Sequence, residues 1–336
     1  MKRRSLPIIV GLFIVLVGLL LFDSIPLLVL WQQAQAFVTI FLGIFIEAVP
    51  FLLAGAVISG LIAEFVSPDL VQRLVPRQPV LAAAAGALLG LTFPVCECGV
   101  VPVTRRLYQK GLPLPIGVAF LLAAPVINPV VIASTVAAYG WGEMLWLRLG
   151  AGFLIATAVG YVFHFAEPQA VLRQDTMLPH TAHEITKLIP PEGEAPPAAT
   201  HPHRFWPALT AAGDEFLEMA QYLVIGCLLA AGMQVLIPQA TLLAWGAGPV
   251  LSVFAMIGLA FILSVCSTVD AFVSLAFANT FATGAVLAFL VFGPMVDVKS
   301  LLLFRQVFRR RATFYLVSLP LLLTTLLAIA HNLQGG

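Results

Sequence analysis

Phe93-Pro94-Val95-Cys96-Glu97-Cys98-Gly99, with Pro102 three residues on, is a helix-breaking stretch set inside an apolar segment. Proline removes a backbone donor and restricts its predecessor, while glycine tolerates unusual backbone angles. A second such stretch follows at Ala124-Pro125-Val126-Ile127-Asn128-Pro129. Irregular backbone at membrane depth is tolerated only where it is buried in protein or lines a watery cavity. These breaks therefore mark where a polar path is expected.

Both breaks recur further along the chain. Ser264-Val265-Cys266-Ser267-Thr268 matches Pro94–Cys98 at an offset of 266 − 96 = 170, and Pro294-Met295-Val296-Asp297 matches Pro125–Asn128 at 297 − 128 = 169. Upstream, Phe216-Leu217-Glu218 matches Phe45-Ile46-Glu47 at 218 − 47 = 171. Three blocks in one order at a nearly constant offset predict an internal duplication.

The chain has 336 residues, of which 60% are hydrophobic and only 10% charged. A soluble domain carries about 25% charged residues, so this surface must face lipid. The net charge of +1 offers no field for nucleic acid. Apolar segments lie at about 6–30, 35–66, 79–104, 112–140, 143–166, 207–238, 245–280, 281–304 and 312–333. Residues 1–34 are read as an N-terminal transmembrane anchor, because Met1-Lys2-Arg3-Arg4 precedes an apolar run with no small-x-small cleavage site. Residues 35–166 form repeat one and 207–336 repeat two, with a polar, proline-rich cytoplasmic linker at 167–206.

Basic residues orient the two copies. Arg73, Arg77, Arg105, Arg106 and Lys110 flank the Cys96 segment, whereas in the second copy the cluster comes later, at Arg305, Arg309, Arg310 and Arg311. Positive residues stay in the cytoplasm, so the copies should have opposite topology. The expected fold is an all-α polytopic membrane protein with two inverted repeats. Each has three spans plus a re-entrant broken-helix hairpin (79–104 and 245–280), and an extra N-terminal span precedes the first. That makes seven spans with a cytoplasmic N-terminus. A rival count of nine spans would put Arg105, Arg106 and Lys110 outside.

Opposed hairpins in inverted-repeat transporters meet near the midplane, where substrate binds. Here they would bring Cys96, Glu97 and Cys98 toward Cys266, Ser267, Thr268 and Asp270. If the first break is extended, Cys96 and Cys98 point the same way, whereas on a helix they diverge by about 200°. Cys96, Cys98 and Cys266 would make a soft ligand set favouring zinc, copper(I) and related species. Asn128 and Asp297 would line the path, and Lys299, two residues along from Asp297, is not expected to face it. Glu47 and Glu218 are candidate proton or cation relays. Cys227 on a plain apolar helix reads as packing. Asp23 and Glu143 read as span ends, the clustered arginines as topology anchors, and His180, His183, His201 and His203 as residues of the polar linker.

Phe93–Pro102, Lys110–Gly117 and Ala123–Pro129, with Ser264–Asp270 and Gly293–Asp297, together resemble the ArsP/YraQ-type bacterial permease family over roughly residues 35–330. The resemblance implies an inner-membrane permease. Assigned members are associated with efflux of trivalent organoarsenicals or of heavy metals such as copper and zinc. Members often carry Cys-Ser-Cys where this chain has Cys96-Glu97-Cys98, and the added carboxylate moves weight toward a metal cation. No Walker-type phosphate loop is present, so energy must come from gradients or a partner chain. No cofactor is expected, a transition metal being a candidate substrate. The expected partners are lipid, a small inorganic or metalloid substrate, and a second copy or accessory subunit. From other classes, a membrane thiol oxidoreductase, a scaffold subunit, or a permease for an unrelated solute with structural cysteines would also use this architecture.

Overall fold

The computed structural model describes residues 27–68, 71, 75–93, 95–177, 205–237 and 248–335. Most of the expected first span, Asp23, Arg73 and the four linker histidines lie outside them. Among the described residues, twelve helices of six or more residues carry the fold. They are α1 (Leu27–Phe65), α2 (Pro79–Leu89), α3 (Glu97–Gln109), α4 (Leu114–Ile127), α5 (Pro129–Tyr139), α6 (Glu143–Val162), α7 (Phe205–Leu236), α8 (Leu251–Leu263), α9 (Asp270–Leu275), α10 (Thr283–Met295), α11 (Val298–Val307) and α12 (Arg310–Gly335). Among the described residues the only sheet-like pairing is one antiparallel bridge, Leu172 to Phe308. This is what lipid demands, since a helix satisfies its own backbone where no water can.

Six segments are long and apolar enough to cross a membrane: Trp31–Phe65, Leu114–Tyr139, Glu143–Phe165, Ala208–Leu236, Thr283–Val307 and Arg310–Gln334. They match six of the seven expected spans, and helices α2 and α8 are too short and apolar to cross alone. Two of the spans are not continuous. Leu114–Tyr139 breaks at Asn128, and Thr283–Val307 breaks at Val296-Asp297.

The packing is an inner pair wrapped by a ring. Every residue of α4 is buried, and so are Gly284–Phe292, Pro294 and Met295 of α10. These two helices touch each other at the centre, flanked by α2 and α6 on one side and by α8 and α12 on the other. Outer helices leave Ile46, Leu217 and Leu322 exposed at 67%, 67% and 55%. Such exposure costs nothing in lipid, where tails are as apolar as leucine. Helix contact then depends on small residues. At Gly55 of α1, a Cβ would lie 2.6 Å from the Gly99 Cα of α3, so only glycine lets α1 press onto the turn that follows Cys98.

The region expected as linker begins later than Glu167. Val171 and Leu172 are buried, and Arg173 N and Arg309 N bond to Val307 O and Val171 O at 3.0 and 2.8 Å. The tail after α6 therefore docks on the α11–α12 junction. Tyr108 of α3 meets Phe308 edge to face at 6.0 Å, so the Arg105/Arg106 and Arg305–Arg311 clusters lie at one end of the molecule.

Candidate functional site

The first break ends at Cys96, which caps α3 in an extended conformation, φ −83° and ψ −179°. Glu97 and Cys98 open the helix behind it. The pair is thus neither wholly extended nor wholly helical. In the second half, α8 ends at Ser264, the one non-glycine residue of left-handed conformation among the described residues, φ 48°. This turn reverses the chain ahead of Cys266. It also frees the Ser264 carbonyl, which would otherwise bond within the helix.

The paired breaks hold these turns in place. Asn128 caps α5, its Oδ1 accepting from Val131 N at 2.9 Å. Its Nδ2 donates to Ala124 O at 2.9 Å and to Val95 O at 3.2 Å, tying this break to the one before Cys96. Asp297 caps α11 with a reciprocal box. Ser300 N donates to Asp297 Oδ1 at 2.6 Å, and Asp297 N donates to Ser300 Oγ at 2.8 Å. Val298 N donates to Ser264 Oγ at 3.3 Å. All four helix-breaking stretches are thereby stitched into one buried centre.

At that centre Cys96 Sγ, a Glu97 carboxylate oxygen and Cys266 Sγ lie within 4.8 Å of one another, and all three residues are buried. Cys98 is fully buried beside them, its thiol in hydrogen-bond contact with that of Cys96, but it is not one of this trio. Glu47 of α1, half-buried, reaches the Cys266 sulfur, and the Thr268 amide also points to it. Ser267 is fully buried, and its Oγ has no hydrogen-bond partner among the described residues.

Lys299 is the residue that the sequence reading set aside. Asp297 stands before α11 rather than on it, so helical geometry does not separate the two side chains. Lys299 Nζ lies 3.4 Å from Asp297 Oδ2, 3.3 Å from Glu97 Oε1 and 2.7 Å from Ser264 O. Glu97, Asp297 and Lys299 are each only 2% exposed. Two carboxylates thus face one ammonium. Glu97 Oε2 and Asp297 Oδ2 have no hydrogen-bond donor among the described residues. The cluster has an acceptor excess and, with all three groups ionised, a net charge of −1.

Three further intramembrane charge pairs are matched one to one. Asp270 does not join the thiols. It forms a two-pronged pair with Arg148 of α6, at 3.0 Å from NH1 and 2.6 Å from NH2, and Thr135 receives a further bond from NH1 at 3.0 Å. Tyr139 and Ser274 bond at 2.7 Å between the same α5 and α9. Arg106 pairs with Glu215 at 3.0 Å, both buried, with Ser59 bonded to the same carboxylate. Arg105 pairs with Glu218 at 2.7 Å. These arginines therefore do more than anchor topology. Glu218, 43% exposed and held by Arg105, does not mirror Glu47 at the thiol site. Arg148 went unread in the sequence, although an arginine within an apolar span signals a buried partner.

The sequence matches the family described as predicted permease over residues 33–333. It is 42% identical over 282 residues to UPF0718 protein YcgR of Bacillus subtilis (strain 168), covering 83% of this chain and 91% of that protein. A protein of Streptococcus mutans serotype c (strain ATCC 700610 / UA159), described as a putative two-component membrane permease complex subunit, is 35% identical over 274 residues. That match covers 81% of this chain and 87% of the relative. No solved structure matches the chain. A polytopic helical chain with its breaks at the centre, matched over nearly its whole length, belongs to the ArsP-type predicted permease family.

Proposed function

We propose that this membrane permease moves a thiophilic cation through the centre formed by Cys96, Glu97 and Cys266. One observation carries the reading: two thiols and a carboxylate from separate halves of the chain converge in a buried cluster, with Glu97 Oε2 lacking a hydrogen-bond partner among the described residues. Thiolate sulfur selects soft metals such as zinc and copper(I), and trivalent arsenicals share that preference. A site with surplus negative charge favours a cation over a neutral arsenical. Cys98 supplies a further thiol within one helical turn, and Glu47 offers a proton acceptor on the α1 side.

The reading extends to the transport cycle. The two halves are inverted repeats, and α2–α3 and α8–α9 are re-entrant hairpins entering from opposite sides. The meeting of both basic clusters at one end supports this, since opposite topology is what brings them together. That end faces the cytoplasm of a cell inner membrane, with the N-terminus on the same side. Arg106–Glu215 then lies between the thiol centre and the cytoplasm, and Arg148–Asp270 lies between it and the exterior. Opening one pair while the other stays closed is the alternating access expected of repeat-built transporters. Export is the direction implied by the family resemblance. The two-component relative favours an accessory subunit for this chain as well.

The test is metal and metalloid binding to purified protein, with wild type beside Cys96→Ser, Cys266→Ser and Glu97→Gln. Stoichiometric binding of zinc, copper(I) or cadmium, lost in each variant, supports the site. Equal binding in all four proteins, or none in wild type, would sink it.

A further inference from the structure

A second cluster lies apart from the thiol centre, at the α11–α12 junction. A cavity of about 510 Å³ opens there, lined by Arg173, Arg305, Arg309, Arg310, Tyr222 and Gln306, among others. Arg305 belongs to α11, Arg309 to the junction, Arg310 to the first turn of α12 and Tyr222 to α7. Arg173 belongs to the tail after α6. The backbone fixes these positions. The Leu172–Phe308 bridge aligns the tail with the junction, and Arg309 Nε donates to Leu172 O at 3.1 Å. Arg173 is held against α11 by a bond from NH1 to Arg305 O at 3.1 Å.

No carboxylate among the described residues pairs with Arg305, Arg309 or Arg310. Elsewhere in the chain Arg105, Arg106 and Arg148 each have an acidic partner within 3.0 Å. The guanidinium groups of Arg305, Arg309 and Arg310, converging on a cavity, form a receptor for phosphate oxygens, which they bind in forked geometry. The cavity lies where α7, α11 and α12 meet the docked tail. Arg310 also lines an adjoining groove of about 420 Å³ with Arg311, Phe314 and Tyr315. Phe314 and Tyr315 are 68% and 55% exposed, as aromatic residues at a membrane interface are. A basic cavity therefore runs into an aromatic, lipid-facing groove through one shared arginine.

We propose that this cavity binds the phosphate headgroup of an anionic phospholipid from the cytoplasmic leaflet, with an acyl chain along Phe314 and Tyr315. Basic pockets between membrane helices on that side take such headgroups. The bound phosphate would bridge α11, α12 and the docked tail. Because α11 begins at the Asp297–Lys299 cap, the lipid would also brace the helix that presents Lys299 to Glu97. The inference is independent of the transported substrate.

The test is native mass spectrometry of the full chain in neutral detergent with phosphatidylglycerol, phosphatidylcholine or inorganic phosphate. Wild type is set beside Arg305→Gln, Arg310→Gln and, as a charge control outside the cavity, Arg77→Gln. The expected result is retention of one phosphatidylglycerol in preference to phosphatidylcholine. That affinity should weaken about fivefold in each cavity variant and remain unchanged in Arg77→Gln. Equal retention of the two lipids, or full retention by the cavity variants, would overturn the site. Displacement of the lipid by millimolar inorganic phosphate would overturn the lipid assignment in favour of a soluble anion. Thermal unfolding of the variants without added lipid separates loss of the site from loss of the fold, and a variant unfolded at the assay temperature would be replaced by Arg305→Lys. That variant keeps the charge but not the fork, and it should retain most of the lipid.

Discussion

Replacing Arg148 by methionine tests whether the buried pair holds the two halves together. Asp270 accepts from both terminal nitrogens of Arg148, at 3.0 and 2.6 Å, and neither residue is more than 2% exposed. Arg148→Met would leave Asp270 in the membrane interior with backbone donors alone. Removing one partner of a buried pair costs about 3–5 kcal/mol, because the remaining charge is uncompensated. Thr135 adds little, since its hydroxyl still donates to Val131 O at 2.7 Å. Replacing both charges, as Arg148→Met/Asp270→Leu, should recover all but about 1 kcal/mol, because two apolar groups need no partner. The predicted difference of about 3 kcal/mol between the single and double variants is a shift of roughly a hundredfold in the folded-to-unfolded ratio. Unfolding in mixed detergent, followed by the fluorescence of the five tryptophans, measures it. If the single and double variants unfold within about 0.5 kcal/mol of each other, the pair is uncoupled and the reasoning fails. If the pair is also the outer gate, the double variant should fold yet leak substrate in vesicles.

Further outcomes follow from the same geometry. Cys96→Ser and Cys266→Ser should each weaken soft-metal binding by about a hundredfold or more, whereas Cys227→Ser, buried on α7 outside the thiol trio, should leave it unchanged; a metal-competition titration decides this. Asn128→Ala removes a helix cap and leaves the Val95 and Ala124 carbonyls without a donor, so it should cost about 2–3 kcal/mol in the same unfolding assay. Gly55→Ala sets a Cβ against the Gly99 backbone and should cost about 1–3 kcal/mol; an unchanged midpoint would show that α1 and α3 can part freely.

The architecture was legible in the sequence because its signals are local. Pro125, Asn128 and Pro129 in one run, and Pro294 and Asp297 in the other, broke the hydrophobic runs where the helices break, and the six long spans in the described region follow composition alone. Cys96, Glu97 and Cys266 could be singled out for the same reason. The pairing of charges could not. Arg148–Asp270 and Lys299–Glu97 join residues 122 and 202 positions apart, and no spacing rule spans such a distance. Lys299 was misjudged by a local rule rightly stated for a helix, because Asp297 turned out to be the cap outside it. Asp270 was placed with the thiols by proximity in sequence. The helical turn of α9 instead carries it to Arg148.

The proposed duplication is most informative where the copies differ. Glu97 of the first copy aligns with Ser267 of the second, and Asp297 and Lys299 of the second align with Asn128 and Val130 of the first. A symmetric ancestor would place two equivalent junctions at the centre. In this chain one junction is charged: Glu97 meets Lys299, and Asp297 stands behind it. The positions paired with it by the proposed duplication are neutral, and Ser267 Oγ is buried without a hydrogen-bond partner among the described residues. Charge concentrated at one junction, where the proposed duplication pairs it with Ser267 and Val130, suits a role beyond folding. A buried −1 centre is costly unless a cation offsets it, and the resident ammonium offsets only half of the carboxylate charge. The remaining negative charge sits beside two thiols, which is where a soft cation would be most strongly held. Under the proposed function, Lys299 would be the group that substrate displaces from Glu97, and its return would release the substrate.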